Sequence, residues 1–317
     1  MKTVVPLTFL LLLMAMSPTS DWTQPALAAD AKRVATFADV PYGEHERQVL
    51  DVYTVKSPQP TPWVFYVHGG GWQAGDKDAV HGFGVGELLD SGIAVVAIRY
   101  RFVPEAQAAG VRYPLEWPTH DARRALQFAR TKAAEWNLDP TRVGAAGGSA
   151  GAVTSLWLGL HDDMAEANSS DPIARQSTRL TCVAVSGAQT SLDPKQFREW
   201  VPNTSYGAPA FGFPQVPGVK PSSFYQYLAA RDQLLPVIRE YSAYDLVSAD
   251  DPPILLEYFS RGRLGEPAED SAHVDVHGLQ FVERAKEVGA HAQVVYPSEA
   301  KPKFSQSHDF LRLHLKR

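Results

Sequence analysis

Cysteine is almost absent from this sequence: Cys182 stands alone, so no disulfide can form within the chain even in an oxidising compartment. It lies inside the apolar stretch 180–185, where a thiol is expected to serve as core filler rather than as a nucleophile. Positive charge is not in surplus either. Thirty Lys and Arg face thirty-five Asp and Glu, for a formal charge of −5 and a pI near 6.1. No basic field draws a polyanion, so nucleic acid is not an expected partner. The basic group at the end (Lys301, Lys303, Arg312, Lys316, Arg317) reads as a solvated helix face or tail. No internal repeat or low-complexity segment points to a solenoid or a linker array. Long apolar runs are missing beyond the first residues, which leaves no expected membrane span in the rest of the chain.

What is present begins with an export signal. Lys2 precedes a mostly apolar run at 4–16, and a polar stretch ends in Ala26-Leu27-Ala28, a small-x-small cleavage site. Residues 1–28 are therefore expected to be removed, placing the mature chain in the periplasm or outside the cell, with no membrane association. Residues 29–317 suit one large α/β domain. With 44% apolar and 21% charged residues, a sizeable core can form.

Strand and helix signals alternate along that domain. Residues 47–55 alternate apolar and polar, and 63–67 forms the next strand after Pro58, Pro60 and Pro62. The β-branched run 93–98 reads as a central strand covered on both faces. Between 114 and 137, Ala122, Leu126, Ala129, Ala133 and Trp136 recur at spacings of four and three, one buried helical stripe. Strands are expected at 142–146, 180–185, 253–258 and 292–296, and helices at 149–160, 276–288 and 309–315. Such alternation argues for a mostly parallel sheet with helices on both faces. One stretch departs from it, 191–249, rich in proline and aromatics; it reads as an insertion whose aromatics mostly pack it onto the domain.

Two motifs carry chemistry. Gly147-Gly148-Ser149-Ala150-Gly151 matches G-x-S-x-G between an expected strand and an expected helix, the context of a nucleophile elbow. The turn leaves no room for large flanking side chains and holds the serine in a strained backbone. Upstream, His68-Gly69-Gly70-Gly71-Trp72 follows the strand 63–67. Glycines there let backbone N–H groups approach a carbonyl oxygen that becomes an anion during acyl transfer. By contrast, Gly82, Gly84 and Gly86 lack the spacing of a nucleotide-binding loop. His273 and His277, with Asp275 between them, lack a third metal ligand, so neither a metal nor any other cofactor is expected.

With these motifs go Leu50-Asp51-Val52-Tyr53, Gly75-Asp76-Lys77, Tyr100-Arg101 with Pro104-Glu105, Asp139-Pro140-Thr141-Arg142 and Asp251-Pro252-Pro253. Together they resemble the α/β-hydrolase esterases, in particular the exported carboxylesterase and acetylxylan or feruloyl esterase-like branch, over most of the mature chain. The resemblance implies an eight-stranded, mostly parallel sheet with the insertion between its sixth and seventh strands. It also implies Ser149 as nucleophile, an oxyanion hole of Gly70, Gly71 and Ala150, a bracing role for His68, and a small-molecule or carbohydrate ester as substrate.

For the rest of the triad the sequence departs from that pattern. No carboxylate stands directly after the strand 253–258, where Tyr258-Phe259-Ser260-Arg261-Gly262 is found. Counting back from the next helix by the acid-to-helix spacing that the resemblance implies points to Asp270 as the acid, with Glu266, Glu269 and Asp275 as alternatives. No histidine closely follows the strand 292–296, so His308, ahead of Asp309-Phe310 and a short helix, is the expected general base, with His273 and His277 on the preceding loop as alternatives. The expected reaction is cleavage of carboxylic esters through an acyl-enzyme, including deacylation of plant polysaccharides. A catalytically impaired binding protein, or a peptidase or lactonase on the same fold, stays open beside it.

Overall fold

The computed structural model describes residues 33–214, 222–296 and 305–316; the expected signal segment lies outside them. Among the described residues, eight strands form one sheet: β1 (Phe37–Pro41), β2 (Val49–Tyr53), β3 (Thr61–Val67), β4 (Ala94–Ile98), β5 (Leu138–Gly148), β6 (Cys182–Ser186), β7 (Ile254–Glu257) and β8 (Ala292–Val295). Their order is β1-β2-β4-β3-β5-β6-β7-β8. The β1–β2 and β2–β4 pairs are antiparallel and all later pairs are parallel, the mostly parallel α/β-hydrolase sheet that the sequence led us to expect. Strand β1 is the one the sequence did not mark. It is an edge strand, half exposed, with a register shift between Phe37 and Val40 and Asp39 at φ +51°, so no clean alternation survives.

The helices are α1 (Val80–Phe83), α2 (Val85–Asp90), α3 (Val103–Ala108), α4 (Glu116–Thr131), α5 (Ala150–Leu160), α6 (Pro194–Trp200), α7 (Ser222–Tyr241), α8 (Ala243–Leu246), α9 (Val276–Val288) and α10 (Ser305–Leu315). Strands β3 and β4 are buried throughout, and apolar from Trp63 to Val67 and from Ala94 to Ile98, because both faces are covered. Trp63, Phe65, Val67, Val96 and Ile98 join the core that holds Leu126 of α4, Leu156 of α5 and Phe281 of α9. Val64, Tyr66, Val95 and Ala97 point the other way, into the layer of Leu88 on α2 and Leu311 on α10. Cys182 is buried in that second layer, where loss of solvent pushes its thiol up to about 12, as suits a filler of space.

Between β6 and β7 lie α6, α7 and α8. Phe211 stacks on Tyr227 at 4.9 Å, and the Tyr227 hydroxyl donates to the Leu192 carbonyl at 2.6 Å. The Arg231 guanidinium grips Asp193 at 2.6 Å, and Asp193 also caps α6 by accepting from the Lys195 N–H. Most aromatics of the segment are thus spent on packing. The parallel strands bring the segments after β3, β5, β6 and β7 to one edge of the sheet, the edge at which α/β folds place their ligands.

Candidate active site

Ser149 occupies the turn from β5 into α5 with φ +52° and ψ −122°, a conformation few residues other than glycine adopt. The flanking glycines are explained by close approach. A Cβ on Gly151 would stand 2.1 Å from the Val67 carbonyl oxygen, and one on Gly147 would stand 2.5 Å from the same atom. The elbow therefore presses against the end of β3, and the Ser149 N–H donates to the Ser186 carbonyl of β6 at 2.9 Å. Ala150 opens α5, so its N–H belongs to the first turn, whose amides have no partner within the helix and lie at its positive end.

The glycine run bends beside it. Gly70, Gly71 and Trp72 all have positive φ (+101°, +61° and +58°), and the Gly70 carbonyl accepts from the N–H groups of Gln73 and Ala74. At Gly70 a Cβ would meet the Ala74 carbonyl oxygen at 2.2 Å, whereas at Gly71 it would meet only the Gln73 side chain, at 3.7 Å. Gly71 therefore has an open side. A Cβ on Gly69 would stand 2.8 Å from the Gly148 carbonyl oxygen and 3.5 Å from Ser149 Cβ, so the loop lies close against the elbow. Trp72 ties the loop to α5 through a 3.0 Å hydrogen bond from its indole to the Thr154 hydroxyl. His68 braces it from below. Its ring stacks on Tyr100 at 4.2 Å and its Nδ1 lies 2.8 Å from the Gly69 carbonyl, while the Tyr100 hydroxyl donates to the His68 carbonyl at 2.9 Å.

The third part is the loop between β7 and α9. His273 Nε2 lies 2.9 Å from Ser149 Oγ, and His273 Nδ1 lies 2.9 and 3.0 Å from the two Asp270 carboxylate oxygens. A carboxylate only accepts, so the proton sits on Nδ1, and Nε2 is left to accept the Ser149 hydroxyl. The structure thus joins Asp270, His273 and Ser149 in one relay.

His308, which the sequence favoured as the base, is elsewhere. Helix α10 packs on the face of the sheet shared with α1 and α2, and there the buried His308 ring holds Glu87 Oε2 at 3.0 Å and the Phe83 carbonyl at 2.8 Å. It braces two helices and is corrected to a structural residue. Among the alternative acids, Asp275 is buried and accepts from the Gly262 N–H at 2.8 Å and the Tyr296 hydroxyl at 2.6 Å. Glu266 and Glu269 are exposed. His277 is buried in the first turn of α9 with its Nε2 3.0 Å from the Ser271 carbonyl, and both ring nitrogens of His273 are taken up by the relay.

Burial of two histidines sets a pH dependence of stability. Loss of solvent lowers both His68 and His277 to about 4, against about 6.5 in an unfolded chain. Their stabilisation is complete above about 6.5 and is lost as pH falls toward 4, because only the unfolded chain takes up the protons in that window. Each accounts for roughly 3 kcal/mol over it. Asp251, pushed up to about 6 by burial, works in the opposite direction. A differential measurement isolates one histidine: between pH 7 and pH 4, urea denaturation should show wild type losing roughly 3 kcal/mol more than His277→Gln. Equal losses would contradict a neutral, buried His277.

Among curated proteins, kynurenine formamidase of Danio rerio is 46% identical over 71 residues, covering 22% of this chain and 24% of that protein. Versiconal hemiacetal acetate esterase of Dothistroma septosporum is 33% identical over 140 residues, covering 42% of this chain and 39% of that protein. The chain thus spans less than half the length of these relatives. Among solved structures, a truncated carbohydrate esterase from gut microbiota superposes with a TM-score of 0.66 at 18% identity, over 91% of this chain and 99% of that one, a likeness of fold. The BD-FAE family model matches residues 50–258, which takes in the glycine run and the elbow and stops short of Asp270 and His273. On that match, over more than half of its length, the chain belongs to the BD-FAE family, built on the α/β-hydrolase fold.

Proposed function

We propose that this chain is a serine hydrolase of carboxylic esters, with Ser149 as nucleophile, His273 as general base, Asp270 as the group that orients it, and Gly70, Gly71 and Ala150 as oxyanion donors. The observation that carries the reading is the unbroken relay, 2.9 Å from Ser149 Oγ to His273 Nε2 and 2.9 Å from His273 Nδ1 to Asp270. A binding protein with a derelict site has no need of it. In the reaction, His273 Nε2 takes the Ser149 proton as Oγ bonds to the ester carbonyl carbon, and the carbonyl electron pair moves onto its oxygen. The anion is held by N–H groups already in place at the loop and the helix start. Its collapse breaks the bond to the alcohol, which leaves with the proton from His273. Water, activated by the same base, then frees the acid and restores Ser149.

The curated and structural neighbours include an acetate esterase and a carbohydrate esterase, which supports small acyl esters of carbohydrates as the substrate class. Export belongs to the same proposal, and a mature N-terminus at Ala29 would support it. The test is a set of initial rates on an aryl acetate, an acetylated xylo-oligosaccharide, an aryl anilide and a γ-lactone. Acetate release from the first two, well above turnover of the anilide and lactone, is expected. Preference for the anilide would support the peptidase reading, preference for the lactone the lactonase, and inertness toward all four the binding protein.

A further inference from the structure

The proposed acid and base stand three residues apart on a single turn, so whatever fixes that turn fixes the reacting geometry. The local bond across it, from the His273 N–H to the Asp270 carbonyl, is long at 3.3 Å. The two carbonyls between them are held from outside. The Gln189 amide donates to the Ala272 carbonyl at 2.6 Å and to the Gly187 carbonyl at 3.0 Å. The Thr204 hydroxyl donates to the Ser271 carbonyl at 3.1 Å, and His277 Nε2 lies 3.0 Å from the same oxygen. Gln189, Thr204 and His277 are each 0% exposed.

Three buried donors from three separate segments therefore converge on two adjacent peptide carbonyls. Gln189 also follows closely on β6, whose Ser186 carbonyl holds the Ser149 N–H. Gly187, whose carbonyl shares the Gln189 amide, lies against the His273 ring, a Cβ there falling 3.3 Å from Cδ2. One stretch of backbone thus anchors the nucleophile's amide and, three residues later, the turn that carries the base.

We infer that Gln189, Thr204 and His277 are positioning residues that set the distance from His273 to Ser149, an assignment that rests on the ester-hydrolase reading above. The consequence is specific. The Asp270–His273 contact is internal to the turn and survives when the turn shifts, whereas the His273–Ser149 contact crosses from the turn to the elbow and does not.

The test compares full-length Gln189→Met, Thr204→Val, His277→Leu and His277→Gln with wild type on an aryl acetate. Loss of the donor should lower kcat by about 10²-fold in Gln189→Met, since displacements near 1 Å cost about that much. Thr204→Val and His277→Leu should each lose about 10-fold, because the other of the two still holds the Ser271 carbonyl. KM and the midpoint of the pH–rate profile should stay near wild type, while Asp270→Asn should move that midpoint. His277→Gln, whose amide can still donate, should recover most of the rate. Phosphonate labelling of Ser149 should slow in step with kcat. If the folded variants lose thermal stability but keep wild-type kcat, the three residues only hold the fold and the inference is overturned; should Gln189→Met fail to fold, the Thr204→Val and His277→Gln pair decides. Wild-type turnover persisting in Ser149→Ala would instead remove the ester reading beneath it.

Discussion

Ser149→Ala should lower kcat/KM for an aryl acetate by about 10⁴-fold or more, because a nucleophile that works as a unit with its base cannot be lost in part. The fold should be indifferent. Alanine inherits the φ of +52° with the strain serine already bears, and the backbone N–H keeps its 2.9 Å bond to the Ser186 carbonyl. A circular dichroism spectrum and a melting temperature near wild type are therefore expected beside the collapsed rate. Residual turnover should come from the oxyanion donors and substrate binding alone. Undiminished turnover would mean that the elbow is an ornament of the fold and that the reaction occurs elsewhere.

The second large effect separates two histidines. His273→Ala should match the loss in Ser149→Ala, since serine at its own pKa is a poor nucleophile without a base within hydrogen-bond reach, and His273 Nε2 stands at 2.9 Å. His308→Ala should leave kcat within about threefold of wild type, because only packing remote from the reacting atoms changes. Its cost falls on stability, about 1–3 kcal/mol, as the Phe83 carbonyl and Glu87 lose their buried partner. The reverse pattern, with His308→Ala inactive and His273→Ala active, would place the base on α10 and require a different path for the chain after β8.

The contrast shows what the sequence could and could not reveal. The elbow was legible because its cause is local: a strand, a turn too tight for side chains and a helix, all within a few residues. The same holds for the glycine run, and for β3 and β4, whose unbroken apolar stretches have only one reading in a sheet covered on both sides. Asp270, the proposed acid, was reached by counting back from the expected helix 276–288, which matches α9 at Val276–Val288. The proposed base was not local. His308 carries a plausible local signature, a histidine just ahead of a short helix, yet which face of the sheet α10 covers is decided by Leu311 and Leu315 packing into the layer of α1 and α2.

His273 reaches Ser149 because the loop from 258 to 275 folds back on itself. Ser260 bridges Val274, the Asp275 N–H donates to the Ser260 carbonyl, and the Asp275 carboxylate accepts from the Gly262 N–H. None of these contacts has a spacing that can be read in advance. One signal was available: an aspartate and a histidine three apart at the foot of a helix, in a chain with no histidine closely following the strand 292–296. The donors Gln189 and Thr204 gave none, since a buried amide or hydroxyl is recognised by what it meets.

The role of Ser149 and its histidine is read directly from the mass of the Ser149-bearing peptide after the purified chain has been treated with a small fluorophosphonate and digested. A single adduct is expected, on Ser149, absent from His273→Ala over the same interval and present in His308→Ala. An unmodified Ser149 in a folded wild-type protein, or equal labelling with and without the His273 imidazole, would contradict it.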